Sequence, residues 1–223
     1  MRLVSICTIS LLLAFQATGA LAAERSSVAA VNGNIVLTVN GKGVQLTSSG
    51  MDLDPVLSPN GEIVTFTRKI AQASSGACDL AVPEQRELWA IQADKSNPRR
   101  LLAGRDAPEP KNALCDFASK QFTADGRKVL FETPAWATSG ALHEFDLTTG
   151  SERYVMPSNG FRILVGCTMH EYRDHLVVNQ HRYFVFGGSF DWYWLFSPDG
   201  RKELGPVGED LGPLEEACEM HLN

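Results

Sequence analysis

Residues 52–69 read Asp-Leu-Asp-Pro-Val-Leu-Ser-Pro-Asn-Gly-Glu-Ile-Val-Thr-Phe-Thr-Arg-Lys, a β-hairpin from which the rest of the chain can be laid out. Val56 and Leu57 lead into Ser58-Pro59-Asn60-Gly61, where proline holds φ at about −65° and Asn-Gly accepts positive φ. Ile63-Val64-Thr65-Phe66-Thr67 then leaves as a β-branched and aromatic strand. The pattern returns at Phe122-Thr123-Ala124-Asp125-Gly126, followed by Val129-Leu130-Phe131, and the turn alone returns at Ser197-Pro198-Asp199-Gly200, there in a different hairpin. Recurrence at the spacing of one supersecondary unit marks a repeat architecture. Upstream, residues 35–37 and 44–46 flank Asn40-Gly41-Lys42-Gly43 as a leading hairpin. A first four-stranded unit runs from the 52–69 hairpin, past the polar loop 71–87, to strands at 88–91 and 99–102. The second unit has strands at 117–122, 129–133, 142–147 and 152–156, and the third at 161–168, 176–179, 190–196 and 202–204. A single helix is predicted over 214–222, with Pro213 suited to its first turn and Glu215 and Glu216 near the positive end of its dipole.

The first residues set the compartment. Met1-Arg2 is a basic start, residues 3–15 are an apolar core, and Ala20-Leu21-Ala22 is a small-x-small cleavage signal, so 1–22 reads as a secretory signal peptide and 23–223 as one domain with a short C-terminal tail. A membrane span needs about 20 apolar residues, and Gln16, Thr18 and Gly19 cut this run short, so no span is expected after processing. Cys7 would leave with the peptide. A periplasmic or secreted location follows. Cleavage removes Arg2 and no acidic residue, leaving the chain more acidic than its net charge of −6; such a surface repels phosphate backbones and anionic membranes, so no nucleic acid is expected as a partner. Cys78, Cys115, Cys167 and Cys218 remain, an even number in an exported chain, which predicts two disulfides. None of their spacings is Cys-x-x-Cys, which argues against a zinc knuckle or a redox pair.

Asp54-Pro55, the Ser58-Pro59-Asn60-Gly61 turn and the apolar Ile63-Val64-Thr65-Phe66 together resemble the WD-like propeller repeat of the TolB family, in which a proline, a Ser-Pro-Asp-Gly turn and an apolar strand recur. In the second copy Thr123-Ala124 stands where Ser-Pro would be, and in the third His170-Glu171-Tyr172-Arg173-Asp174 replaces the turn. The resemblance implies an all-β fold, a small or incomplete β-propeller-like domain of about three four-stranded units plus an N-terminal hairpin. It implies no single function, because this fold serves binding, scaffolding and catalysis alike. In such a fold, loops joining second to third strands emerge on the same side as loops leading into the next unit. Cys78 and Cys115 occupy two such loops and are expected to pair, leaving Cys167 for Cys218.

The chemistry-bearing residues are sparse. His170-Glu171-Tyr172-Arg173-Asp174-His175 places its two histidines five apart, whereas the zinc-protease signature needs four on a helical face; a solvated turn is expected, with His143 and His181 on other strands. Asp52 and Asp54 share one side of an extended segment and would need loop carbonyls to hold calcium, but the interior glycine and terminal glutamate of a calcium loop are missing. The acidic tail, Glu209, Asp210, Glu215, Glu216 and Glu219, reads as a solvated face. No nucleophile elbow, phosphate loop or dinucleotide fingerprint is present, so the expectation is a chain that is not an enzyme and carries no cofactor or metal. The most unusual composition is the aromatic run 181–194, where alternation puts Phe190, Trp192 and Trp194 on one strand face and Asp191 and Tyr193 on the other. The loops 134–140 and 181–188 both join second to third strands, which would bring Trp136 near Tyr183, Phe184 and Phe186 as a partner-binding patch. The preferred functional reading is a non-catalytic exported module with a protein partner, in its sharpest form an inhibitor or immunity protein against a secreted toxin enzyme. The second reading is a hydrolase or lyase with a central-pocket site. The sequence leaves the oligomeric state open.

Overall fold

The computed structural model describes residues 26–73, 78 and 81–219, so the signal-peptide expectation for 1–22 lies outside the described residues. Among the described residues fifteen strands form four antiparallel meanders. The first sheet holds β1 (Ser26–Val31), β2 (Asn34–Val39) and β3 (Lys42–Gln45). The second holds β4 (Asp52–Leu57), β5 (Ile63–Ala73), β6 (Glu84–Gln92) and β7 (Arg99–Ala103). The third holds β8 (Ala118–Phe122), β9 (Lys128–Pro134), β10 (Gly140–Asp146) and β11 (Glu152–Ser158). The fourth holds β12 (Phe161–Ile163), β13 (Leu176–Tyr183), β14 (Ser189–Phe196) and β15 (Glu203–Gly208). The strand missed by sequence reading is β1, a Ser- and Ala-rich segment with little β signal that pairs along its whole length with β2 through the Asn32-Gly33 turn.

Each sheet packs its first strand against the first strand of the next, β1 on β4, β4 on β8 and β8 on β12, so these four lie innermost around a common axis. Side chains from facing sheets fill the gaps. Ile35, Leu37, Val64 and Phe66 join the first two sheets; Leu88, Phe117, Val129 and Phe131 join the second and third; Leu130, Leu142, Leu176, Val178 and Phe196 join the third and fourth. Among the described residues, no element of the fourth sheet makes more than marginal contact with the first, so the sheets form an open arc.

The two ends of the arc differ. On the fourth sheet, alternation sends Leu176, Val178 and Phe196 inward and Val177, Tyr193 and Leu195 outward. That outer side is covered by Leu164, Tyr172, Leu211 and Leu214 from the segment 164–175 and from the helix α1 (Gly212–Ala217). The Cys167–Cys218 disulfide ties these two covering pieces together. A helix predicted to run to residue 222 thus ends at Ala217, with 220–222 outside the described residues, and the strand expected over 161–168 stops at Ile163 because the chain leaves the sheet to build this cover. On the first sheet, by contrast, Ala29, Val31, Val36 and Thr38 share the outer side by register, and among the described residues no sheet lies over them.

The recurring turns are one device built three times. Ser58, Thr123 and Ser197 each use the hydroxyl to donate to the Asx side chain two residues on (2.7, 2.6 and 2.6 Å) and to accept the N–H five residues on (2.9, 3.2 and 3.0 Å). The glycines Gly61, Gly126 and Gly200 take φ of 74°, 67° and 70° to close the turn. Threonine serves as well as serine, which is why Thr123-Ala124 works in the place of Ser-Pro.

Candidate functional site

β13 and β14 are longer than their neighbours. β12 pairs with β13 only at residues 176–178, and β15 meets β14 only from Tyr193 onward, so 180–183 and 189–192 pair with each other alone and project as a two-stranded arm. Register puts Gln180, Trp192, Arg182 and Phe190 on one side and His181, Asp191, Tyr183 and Ser189 on the other. The first side is an aromatic ladder: Phe184 lies 4.6 Å from Phe190, Phe190 lies 5.1 Å from Trp192, and the Arg182 guanidinium stacks 3.5 Å above Trp194. Arg182 also donates to Glu203 at 2.6 Å, and Trp192 Nε1 donates to Glu209 at 3.3 Å. On the other side His181 sits 2.9 Å from Asp191 and edge-on to Tyr183.

The tip closes through Phe184 N–H to Gly188 O and Gly187 N–H to Phe184 O, with Gly187 and Gly188 at φ of 98° and 86°. Tyr183 is 69% exposed, Phe184 54%, Val185 94% and Phe186 101%. Large apolar side chains held in a defined turn and turned fully to solvent are a signature of a contact surface. The expected neighbour Trp136 packs elsewhere: its ring meets Tyr154 on β11 at 6.4 Å, and no ring contact joins it to Tyr183, Phe184 or Phe186. Loop order placed these residues on one side, but the arm carries the second loop away from the sheet.

The innermost strands form a second feature. β4 and β8 carry the same bulge, at Asp54-Pro55 and at Ser119-Lys120, with Asp54 at φ 47° and Ser119 at φ 52°. An open cleft of about 350 Å³ lies between them, lined by Asp54, Pro55, Val56, Ser119, Lys120 and Gln121. Lys120 points away beneath it, where Nζ donates to Thr67 Oγ1 (2.8 Å) and Phe117 O (2.5 Å). Burial pushes its ammonium down to about 8, against the pull of Asp54 and Asp116. The bulge also separates the two carboxylates that the sequence placed side by side: Asp52 is buried in a two-pronged pair with Arg68 (2.6 and 3.0 Å), while Asp54 is exposed.

The histidines are dispersed. His170 opens a 3-10 turn, His175 faces the Arg173 carbonyl, and His143 is fully buried between Phe131 and Tyr154 with Nδ1 2.6 Å from Glu152. Burial alone would raise the Glu152 carboxyl, but His143 and Arg105 outweigh it and hold it below the usual range. Among the described residues, no group of three or more His, Cys, Asp or Glu is placed to hold a metal. The disulfides Cys78–Cys115 and Cys167–Cys218 account for all four cysteines after residue 22.

Four-stranded meanders set around an axis by their first strands define the fold. It is a β-propeller, open rather than closed. No family model matches the chain, and no curated protein matches it in sequence. Solved structures to which the chain is similar include the β-propeller domain of the trilobed protease from Pyrococcus furiosus, reported with an open velcro topology, at 17% identity and a TM-score of 0.47 over 77% of this chain and 47% of that one. Others are an oligogalacturonate lyase in complex with manganese (14%, 0.47, 76% and 40%) and TolB from Acinetobacter baumannii (15%, 0.33, 81% and 50%). The chain spans half or less of the length of these structures. Two of the three are named as a protease and a lyase, so the expectation that this chain is not an enzyme is withdrawn. At these identities and scores the likeness carries no activity across, and the fold is read from the four sheets themselves.

Proposed function

We propose that the chain is an exported docking module whose contact element is the arm formed by β13 and β14. The observation behind this reading is the exposure of four consecutive residues, Tyr183 to Phe186, at the end of a ribbon that the rest of the fourth sheet holds out. Two disulfides fit a periplasmic or extracellular setting, and among the described residues no helix is long and apolar enough to cross a membrane. The narrower expectation of an immunity protein has no observation behind it and is left aside.

The test compares immobilised wild type with a Val185→Ser, Phe186→Ser double variant, each exposed to the soluble and the detergent-extracted fractions of the envelope. Because these side chains touch so little, the variant should melt within about 0.5 kcal/mol of wild type. Retained material that disappears with the variant supports the reading; equal retention by both removes the arm from docking.

A further inference from the structure

Resting on the arm as contact element, we propose that its tip inserts into the interfacial layer of an electrically neutral lipid bilayer. The polarity of the arm is graded along its length. From Tyr183 to Phe190 there is no charged side chain, and Phe184, Val185, Phe186, Gly187 and Gly188 offer no side-chain hydrogen bond at all. A protein interface of useful size carries about one hydrogen bond per 100–200 Å² and a polar rim, which this tip does not supply; a bilayer asks for none. Lipid does require backbone groups to be satisfied internally, and the tip turns two of its N–H groups onto its own carbonyls.

Directly behind the tip stands Tyr183, opposite Ser189, an amphipathic ring of the type that gathers at membrane–water boundaries. Behind that come the charges, interleaved with Phe190 and Trp192: Arg182, opposite Phe190 and paired with Glu203, then Asp191 with His181, and Glu209 on Trp192. At about 3.3 Å per strand residue, the uncharged part of the arm is about 10 Å deep, the depth to which interfacial elements sink. The sign of the body selects the lipid. Glu209 and Asp210 at the arm's root and a net charge of −6 oppose an anionic surface, so the headgroups that fit are zwitterionic.

Flotation of the full chain with phosphatidylcholine vesicles tests this. Wild type should float, Phe186→Ser should lose at least about tenfold in partitioning, the loss expected when one phenyl no longer leaves water, and Val31→Ser, at an exposed valine of the first sheet, should float like wild type. Phe186→Trp should float and show blue-shifted emission with vesicles. Replacing a quarter of the lipid by phosphatidylglycerol should weaken binding at low salt and restore it as salt screens the repulsion. Failure of wild type to float, or equal flotation of Phe186→Ser, overturns the inference. If vesicles are ignored while capture from the envelope fractions still needs Val185 and Phe186, the arm docks to a protein pocket and only the lipid reading falls; if capture is also independent of the tip, both fall.

Discussion

At the scale of single residues, the chain spends stability in one place and recovers it in small turns. Lys120 is a nearly buried ammonium whose folded value is about 8 against an ordinary 10.5. Because the folded state lets go of this proton first, the unfolded chain binds more protons between those two values, so stability must rise with pH across that window. The burial cost is fully present below pH 8 and gone above 10.5, in total about 3 kcal/mol. Urea unfolding of wild type and Lys120→Met from pH 7.5 to 10.5 should therefore show a positive slope in the difference between them; parallel curves would place the ammonium in water instead. Ser58 works in the opposite direction. Its hydroxyl both donates to Asn60 and accepts the Ile63 N–H while 3% exposed. Ser58→Ala leaves that N–H without the hydroxyl acceptor and should cost about 1 kcal/mol in a melting experiment, whereas Ser58→Thr should restore most of it, as Thr123 already does in the third sheet.

At the scale of elements, the fourth sheet is braced on both sides and therefore able to hold an arm. Its outer side rests on α1 and the segment 164–175, and these are joined through Cys167–Cys218. Arg162 on β12 pairs with Glu215 on α1, a second tie between the cover and the innermost strand. Closing a loop of this length is worth about 4 kcal/mol in the chain-entropy account. Cys218→Ser should lower stability by roughly that amount and raise amide exchange at Val177, Tyr193 and Leu195 before it affects the inward-facing core at Val178 and Phe196. Exchange that rises evenly over the sheet would mean that the cover is held by packing and the disulfide adds little. The bulges of β4 and β8 belong to this scale as well. They explain why a proline can sit inside a strand: Pro55 lies where the ladder is already broken and needs no N–H.

At the scale of the whole molecule, the arc has one finished end and one bare end. Among the described residues the first sheet has three strands, packs through Ile35, Leu37 and Leu46 on one side, and has no sheet over the other. The fourth is packed on both sides. Local opening free energy follows buried contacts, so amide exchange should be fastest in β1 and β3, intermediate in β2, and slowest in the central parts of β9, β10 and β13. A first sheet protected as strongly as the fourth in dilute solution would show that something covers its outer side.

What the sequence determined by itself is whatever is written in short-range chemistry. Hydroxyl, Asx and glycine at fixed offsets make a turn wherever they stand, and alternation of Val, Ile and Phe makes a strand beside it, so the three four-stranded units and their all-β character could be read directly. β1 escaped because Ser and Ala carry no such pattern and pair only since β2 lies beside them. The site divided in the same way. The aromatic run at 181–194 was visible as composition, but whether Phe190 is covered and Phe186 bare depends on where β12 and β15 stop pairing, a property of other strands. Trp136 was drawn toward Tyr183 by loop order and is held on Tyr154 instead, and Asp54 was set beside Asp52 until a bulge turned it away. Only the tertiary structure decides such matters, because exposure, bulges and the end of a ladder arise from competition among segments far apart in the chain, and no local stretch records its outcome.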